Sequence, residues 1–308
     1  MRAIQFRQYG PPDVLTMVEA EPAVMGTNDL RVRMLAAGVA PVDTKIRAGL
    51  LQAQLAVTLP KIPGRDGVGI VEATGTEVTR FAVGDAVCVM ADMLTGGTCA
   101  ELIVVPQERA VQQPAMLSRH AAAALLQPGI SAWIPVVQVA NIQPGMKVLV
   151  HSGSGAVGSL MVQLAAHLGA QVTSTCRAAN IDYVLSLGAT HAIAYDRDDF
   201  GTLRDQDVVF DLVGGATHAR SYPVLKKGGH LVWLMAAPVT DRADDYGVRV
   251  TRALISDQQE GLQAVAALAQ QGILQPRVSE VLPLAQAAAA HAALEQGVVT
   301  RGRLVLDI

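Results

Sequence analysis

The stretch Val148-Leu149-Val150-His151-Ser152-Gly153-Ser154-Gly155-Ala156-Val157-Gly158 decides the fold. Its apolar start reads as a short buried strand, and a helix opens over Ala156–Leu168 as soon as the glycines end. Glycines spaced G-x-G-x-x-G are weak in isolation, but between a strand and a helix they form a dinucleotide-binding fingerprint. Gly153 takes the tight turn, Gly155 lets backbone approach a pyrophosphate, and Gly158 lets helix and strand pack closely. The unpaired N–H groups and positive dipole end of the helix then face the phosphates. Ser152, Gly153, Gly155, Ala156, Val157 and Gly158 are therefore expected to touch a cofactor.

Downstream of this stretch, apolar strands and helices alternate. Strands are expected at Gln171–Thr175, Ala192–Tyr195, Asp207–Leu212 and His230–Leu234, and a helix at Ile181–Leu187. Such alternation is the signature of a parallel sheet covered on both faces. Upstream, a helix capped by Ser118 is expected through His120–Leu126, and another over Ser131–Ala140.

The first third has another texture. Strands at Leu30–Ala37, Gly69–Ala73, Ala86–Met90, Cys99–Val105 and Arg109–Gln112 are separated by Gly, Pro and Asp, and Met1–Phe6 alternates like a first strand. Many short strands so punctuated suggest an antiparallel, partly closed β domain. The tail holds a helix over Leu262–Gln270, a strand at Val278–Leu282, a helix over Leu284–Glu295 and a strand at Arg303–Asp307, read as returning to the first domain. The expected division is 1–118 with 258–308, and 119–257.

Composition fits two such domains. Among 308 residues, 51% are hydrophobic and only 17% charged, which is ample core. A net charge of −3 gives no reason to expect nucleic acid or an anionic membrane as partner. No apolar run spans a bilayer, and the N-terminus lacks a signal-peptide core. Cys88, Cys99 and Cys176 lie far apart, without a CxxC, and read as small buried hydrophobes in a reducing cytoplasm.

A second signal lies at the end of the next strand, Val172-Thr173-Ser174-Thr175-Cys176-Arg177. An NAD enzyme places an acidic residue here for the ribose 2′-hydroxyl. This chain offers Ser174, Thr175 and Arg177, and a guanidinium suits the 2′-phosphate of NADP. Tyr195 is a further candidate for that phosphate; the plainer reading of Arg177 is a solvated surface arginine. Asp211-Leu212-Val213-Gly214-Gly215 ends another strand, and Val213 and Gly214 are candidates for the nicotinamide ribose. His151 reads as a hydrogen-bonded structural residue rather than a base.

Five segments occur in a telling order: AAGVAPVDTKIRAG (36–49), KIPGRDGVGIVEATG (61–75), GGTCAEL (96–102), VLVHSGSGAVGSLMVQLA (148–165) and DLVGG (211–215). Together they resemble the zinc-free quinone oxidoreductase/zeta-crystallin branch of the medium-chain dehydrogenases/reductases, over essentially the whole chain. The resemblance implies an α/β chain: a GroES-like β domain rejoined by the C-terminus, and a Rossmann domain with a doubly wound parallel sheet. It implies an active site in the cleft between them and hydride transfer from NADPH to a quinone or an α,β-unsaturated carbonyl. It places Ser131 near the cofactor and suggests a homodimer through the Rossmann sheet edge after Val232.

Zinc-dependent relatives carry Cys-His where this chain has Ala40-Pro41, Gly-His-Glu at Gly64-Arg65-Asp66, and a four-cysteine lobe that is missing here. No zinc site is expected. Zinc-free relatives usually have Asn in place of Ala40 and commonly Tyr in place of Cys99. Around these positions Asp43, Lys45 and Arg65 are candidates to supply charge, with an Asp43–Lys45 ion pair as the structural alternative. Two other readings stand beside the quinone reductase: an enoyl or alkenal reductase, and an NADPH-binding sensor or structural protein with little turnover.

Overall fold

The computed structural model describes residues 1–234 and 239–308, and the chain divides into two compact units, 1–127 with 257–308, and 128–256. In the first unit, β1 (Arg2–Gln5) and β2 (Thr16–Glu19) form an antiparallel pair. The main sheet is built on β3 (Asp29–Gly38), where Leu30, Val32 and Met34 turn inward and Arg31 and Arg33 outward. After β3 comes a short helix, α1 (Pro41–Arg47), with Pro41 at its first position and Asp43 reaching back to the Ala40 N–H at 3.0 Å. These are helix-start chemistry, and the sequence reading passed over them.

The sheet continues through β4 (Asp66–Thr74), β5 (Ala86–Met90), β6 (Leu102–Pro106) and β7 (Ala110–Gln112). The strand expected from Cys99 starts only at Leu102, because Cys99 and Glu101 bond to the first strand instead (Ile4 N to Cys99 O, 2.9 Å; Glu101 N to Arg2 O, 3.0 Å). Helix α2 (Arg119–Ala123), capped by the Ser118 hydroxyl at 3.3 Å, packs on β3 and β4. It stops three residues short of Leu126. A new helix, α3 (Leu126–Trp133), starts there, so that Pro128 falls in its first turn, where a missing N–H costs little. Its continuation over Ile134–Val139 is π-helical, a widening that accommodates Pro135, rather than the regular helix expected to Ala140.

The second unit carries β8 (Lys147–Val150), α4 (Ala156–His167), β9 (Gln171–Cys176), α5 (Ile181–Ser186), β10 (His191–Ala194), β11 (Gln206–Asp211), α6 (Gly215–Ser221), β12 (Leu225–Trp233), α7 (Ala243–Tyr246) and β13 (Arg249–Arg252). Its strands run in the order β10-β9-β8-β11-β12-β13, every neighbouring pair parallel. That is the doubly wound dinucleotide-binding order, with the reversal at β8. The loop after β8 thus lies at the switch point, where ligands of such sheets bind. Strand β13, unforeseen in the sequence, covers β12, so the edge expected after Val232 belongs to Arg249–Arg252.

Returning to the first unit, α8 (Gln259–Gln270) precedes β14 (Val278–Pro283), α9 (Ala287–Glu295) and β15 (Arg303–Asp307). Strand β15 pairs antiparallel with the end of β3 (Val305 opposite Gly38), and β14 lies parallel beside it. The core here gathers Ile4, Phe6, Val39, Ile46, Leu304 and Leu306.

Candidate functional site

At the carboxyl end of β8, Ser152 adopts a left-handed conformation (φ 60°), an unusual state for a non-glycine residue. The glycines that follow are held for different reasons. A Cβ on Gly158 would run into the Ser152 carbonyl, and one on Gly153 into the Ser174 hydroxyl. At Gly155 the nearest atoms to an added Cβ are 3.5 Å away, and φ is −73°. The protein itself would accept a side chain at 155. Gly155, Ala156 and Val157 are half-buried and open on one side, whereas Gly153 and Gly158 are enclosed. The first intrahelical bond of α4 is Ser159 N to Gly155 O at 2.9 Å, so the amides before it have no acceptor within the helix. No side chain caps α4.

At the end of β9 the candidates separate. Ser174 is buried and its hydroxyl donates to Val150 O at 2.8 Å. Thr175 is also buried; its oxygen accepts the Ser152 N–H at 3.2 Å and lies 3.1 Å from His151 Nδ1. Both hydroxyls support the loop: β9 lies inside the sheet with both faces covered, so its side chains are buried on either face. Beyond them Arg177 and Tyr195 are brought together, Arg177 Nε donating to the Tyr195 hydroxyl at 3.2 Å on the exposed edge. Asp196 stands beside them, its carboxylate accepting the Ala178 N–H at 2.9 Å.

His151 is buried, with Nε2 3.0 Å from the Ser221 hydroxyl. That hydroxyl donates to Thr217 O at 2.7 Å, so it accepts from the imidazole, and Thr175 supplies the other proton, to Nδ1. Burial pushes the His151 pKa down to about 4, and the ring is neutral and structural. The loop after β11 is built on Asp211, whose Oδ1 accepts the N–H groups of Val213 (2.9 Å) and Gly214 (2.8 Å). Its Oδ2 meets His218 Nδ1 at 2.8 Å, and His218 Nε2 lies 3.2 Å from the Tyr222 hydroxyl. This buried Asp211–His218–Tyr222 chain escaped the sequence reading; the i, i+7, i+11 spacing across a strand and a helix is visible only once folded. Val213 itself is half exposed, Gly214 holds φ 81°, and Ser131 is buried in α3.

In the first unit, Asp43, Lys61, Gly64 and Arg65 line a cavity of about 10 Å³, room for one water molecule. Phe6, Ile46, Pro63, Asp92 and Met93 complete its wall. Asp43 accepts from Ala40 N and, at 3.3 Å, from Gly64 N. Burial raises its carboxyl to about 6 against the pull of Arg303, the Ala40 amide and Arg65. Lys61, missed in the sequence, is buried and bonds Gly96 O; burial lowers it to about 8. The Asp43–Lys45 ion pair is not formed among the described residues. Two residues apart on α1, these side chains leave the helix on different sides, and Lys45 is half-buried.

Ala40 and Cys99 are both buried. Burial pushes the Cys99 thiol well above its ordinary value, as it does Cys88, and Cys176 rises to about 11. Arg65 is committed to Asp257, and Asp66 to Arg303 through two bonds of 2.8 and 2.6 Å. Zinc needs thiolate, imidazole or free carboxylate ligands. A methyl, a guanidinium and an already paired carboxylate do not fit it. No group of three His, Cys, Asp or Glu suited to a metal occurs among the described residues.

Comparison with known proteins identifies the family. The profile of the alcohol dehydrogenase GroES-like domain matches residues 26–115, and that of zinc-binding dehydrogenases residues 187–306. A quinone oxidoreductase of Pseudomonas aeruginosa is 32% identical, covering 95% of both chains. This chain belongs to the quinone oxidoreductase-like medium-chain dehydrogenases/reductases. Within this family, a 2-haloacrylate reductase of Burkholderia sp. is 30% identical over 94% of both chains. The quinone oxidoreductase of Coxiella burnetii superimposes with a TM-score of 0.92 at 32% identity, covering 100% of this chain and 99% of its own. That of Escherichia coli, solved in complex with NADPH, gives 0.90 at 29% identity over 100% of both. A GroES-like unit and a Rossmann unit make up this oxidoreductase. No helix among the described residues is long and apolar enough to cross a membrane.

Proposed function

We propose that this chain is an NADPH-dependent, zinc-independent reductase acting on a quinone or an α,β-unsaturated carbonyl. The observation that carries the reading is the pairing of a glycine loop open at Gly155 with the Arg177–Tyr195 contact at the next strand end. The amides at the start of α4 would hold the pyrophosphate, and Arg177 with Tyr195 the 2′-phosphate. Val213 and Gly214, fixed by Asp211, would border the nicotinamide ribose, with Ser131 also near the cofactor. When bound, NADPH supplies the hydride. Ser174 and Thr175 keep Ser152 and Gly153 in place rather than touching the ligand.

With no zinc ligands, the chain has hydrogen bonds and fixed charges to orient an acceptor. That favours substrates that accept hydride readily. Relatives named for quinones and for 2-haloacrylate are consistent with both acceptor classes. The buried methyl of Ala40 and protonated thiol of Cys99 favour a second reading, an NADPH-binding protein with little turnover. Oxidation of NADPH with and without acceptor separates the two. A homodimer pairing through the exposed backbone of β13 belongs to the proposal, and light scattering at a mass near twice 32.3 kDa tests it.

A further inference from the structure

The chain leaves its first unit between Gln127 and Pro128 and re-enters it between Ser256 and Asp257. Both crossing points are bonded to one dipeptide. The Gln127 N–H donates to Asp66 Oδ2 at 2.8 Å. Arg65 Nη2 donates to both carboxylate oxygens of Asp257, at 2.8 and 2.7 Å. Adjacent side chains at the start of a strand point to opposite sides, so neighbours in sequence can reach two segments 130 residues apart.

The dipeptide is itself fixed. Arg303 grips the Asp66 carboxylate with both Nη atoms and Val39 O with Nε, at 3.1 Å. Arg65 also bonds Ala91 O, and Arg109 reaches Asp257 (3.4 Å) and Asp92 (3.1 Å). Arg65, Asp66 and Arg303 are all buried. Ion pairs buried this deeply gain little over apolar packing, so stability alone is a poor reason for them. Arg65 also lines the cavity that holds Asp43 and Lys61.

We propose that Arg65 and Asp66 form an ionic hub that positions both crossover points, at Gln127 and Asp257, relative to the Asp43–Lys61 cavity. The residues stand where zinc-dependent relatives carry ligands, and here they serve connection instead of coordination. Residues 253–256, without regular structure and with Leu254 74% exposed, are then the stretch whose backbone order depends on the Asp257 anchor. The kinetic consequence rests on the reductase reading; the hub does not.

The test compares Asp257→Ala with Glu72→Ala, which removes only an exposed ion pair to Arg31. Chymotryptic cleavage after Leu254 should rise about tenfold in Asp257→Ala and stay unchanged in Glu72→Ala. In the same variant, kcat for an acceptor should fall about tenfold while the KM for NADPH moves less than about twofold. Unchanged cleavage in a folded Asp257→Ala protein overturns the hub, and so does a loss shared equally by kcat, NADPH KM and the unfolding midpoint. If the variant does not fold, amide exchange in the wild-type chain decides: a protected Gln127 N–H supports the hub, and free exchange there overturns it. A chain that reduces no acceptor sinks the reductase reading and leaves the cleavage result standing.

Discussion

Arg177 donates from Nε to the Tyr195 hydroxyl across 3.2 Å, joining the ends of two neighbouring parallel strands. Eighteen residues separate the two, and the parallel register that sets Ala194 opposite Cys176 brings them together. The contact orients a planar guanidinium at the position where coenzyme preference is set in this sheet order.

Arg177→Ala should weaken NADPH binding by about 10- to 100-fold, the worth of a charge-assisted hydrogen bond, and leave NADH nearly unchanged. Asp196→Asn should act in the opposite direction, because it removes a negative charge beside the same spot. Fluorescence titration with both coenzymes checks this. Equal losses for NADPH and NADH in Arg177→Ala would remove the 2′-phosphate assignment.

The three glycines after β8 should part company on mutation. Gly158→Ala forces a Cβ against the Ser152 carbonyl and should destabilise the fold by about 1–3 kcal/mol. Gly155→Ala meets nothing closer than 3.5 Å. It should cost less than about 1 kcal/mol of stability yet raise the NADPH dissociation constant at least about tenfold. Urea unfolding and coenzyme titration on the same samples separate the effects. Undiminished affinity in Gly155→Ala contradicts the loop's assignment.

Much of this was legible in advance, for reasons that can be located. The β8–α4 turn and the alternation to β12 rest on contiguous residues, where period and punctuation suffice. Strand β15 was visible from its apolar run, whereas β13, a four-residue Arg-Val-Thr-Arg edge strand, has almost no pattern. Ser174 and Thr175 read as ligand contacts by residue type; the position of β9 inside the sheet, covered on both faces, and the backbone bonds the two hydroxyls make keep them buried. The Asp66–Arg303 pair spans 237 positions, so only the folded sheet shows why Arg65 and Asp66 occur together.

Acid should destabilise the wild-type chain through its buried histidines. Burial lowers His151 and His230 to about 4 and His291 to about 3. Below pH 6.5 the unfolded chain takes up protons that the native state refuses, and stability is lost down to those values. Asp43 works in the other sense. Its folded carboxyl, raised to about 6, binds a proton before the unfolded one does near 3.8, so acidification across that window stabilises the native state. Asp43→Asn should therefore lose more stability than wild type between pH 6.5 and 4.5, by about 2 kcal/mol. Parallel losses in urea unfolding would show that Asp43 does not titrate in this range.

Metal removal should be without effect. With Arg65 and Asp66 held by Asp257 and Arg303, prolonged chelation should leave turnover and the unfolding midpoint unchanged. Elemental analysis should find well under one zinc per chain. A stoichiometric zinc, or activity restored only by zinc, would contradict the ligand argument.

The most direct test of the central claim is the fall in reduced-nicotinamide absorbance, with NADPH and NADH in parallel, against a simple quinone and a simple enone. The account predicts acceptor-dependent oxidation, with NADPH preferred. NADPH that binds but is not oxidised by any acceptor would contradict the reductase and leave a coenzyme-binding protein in its place.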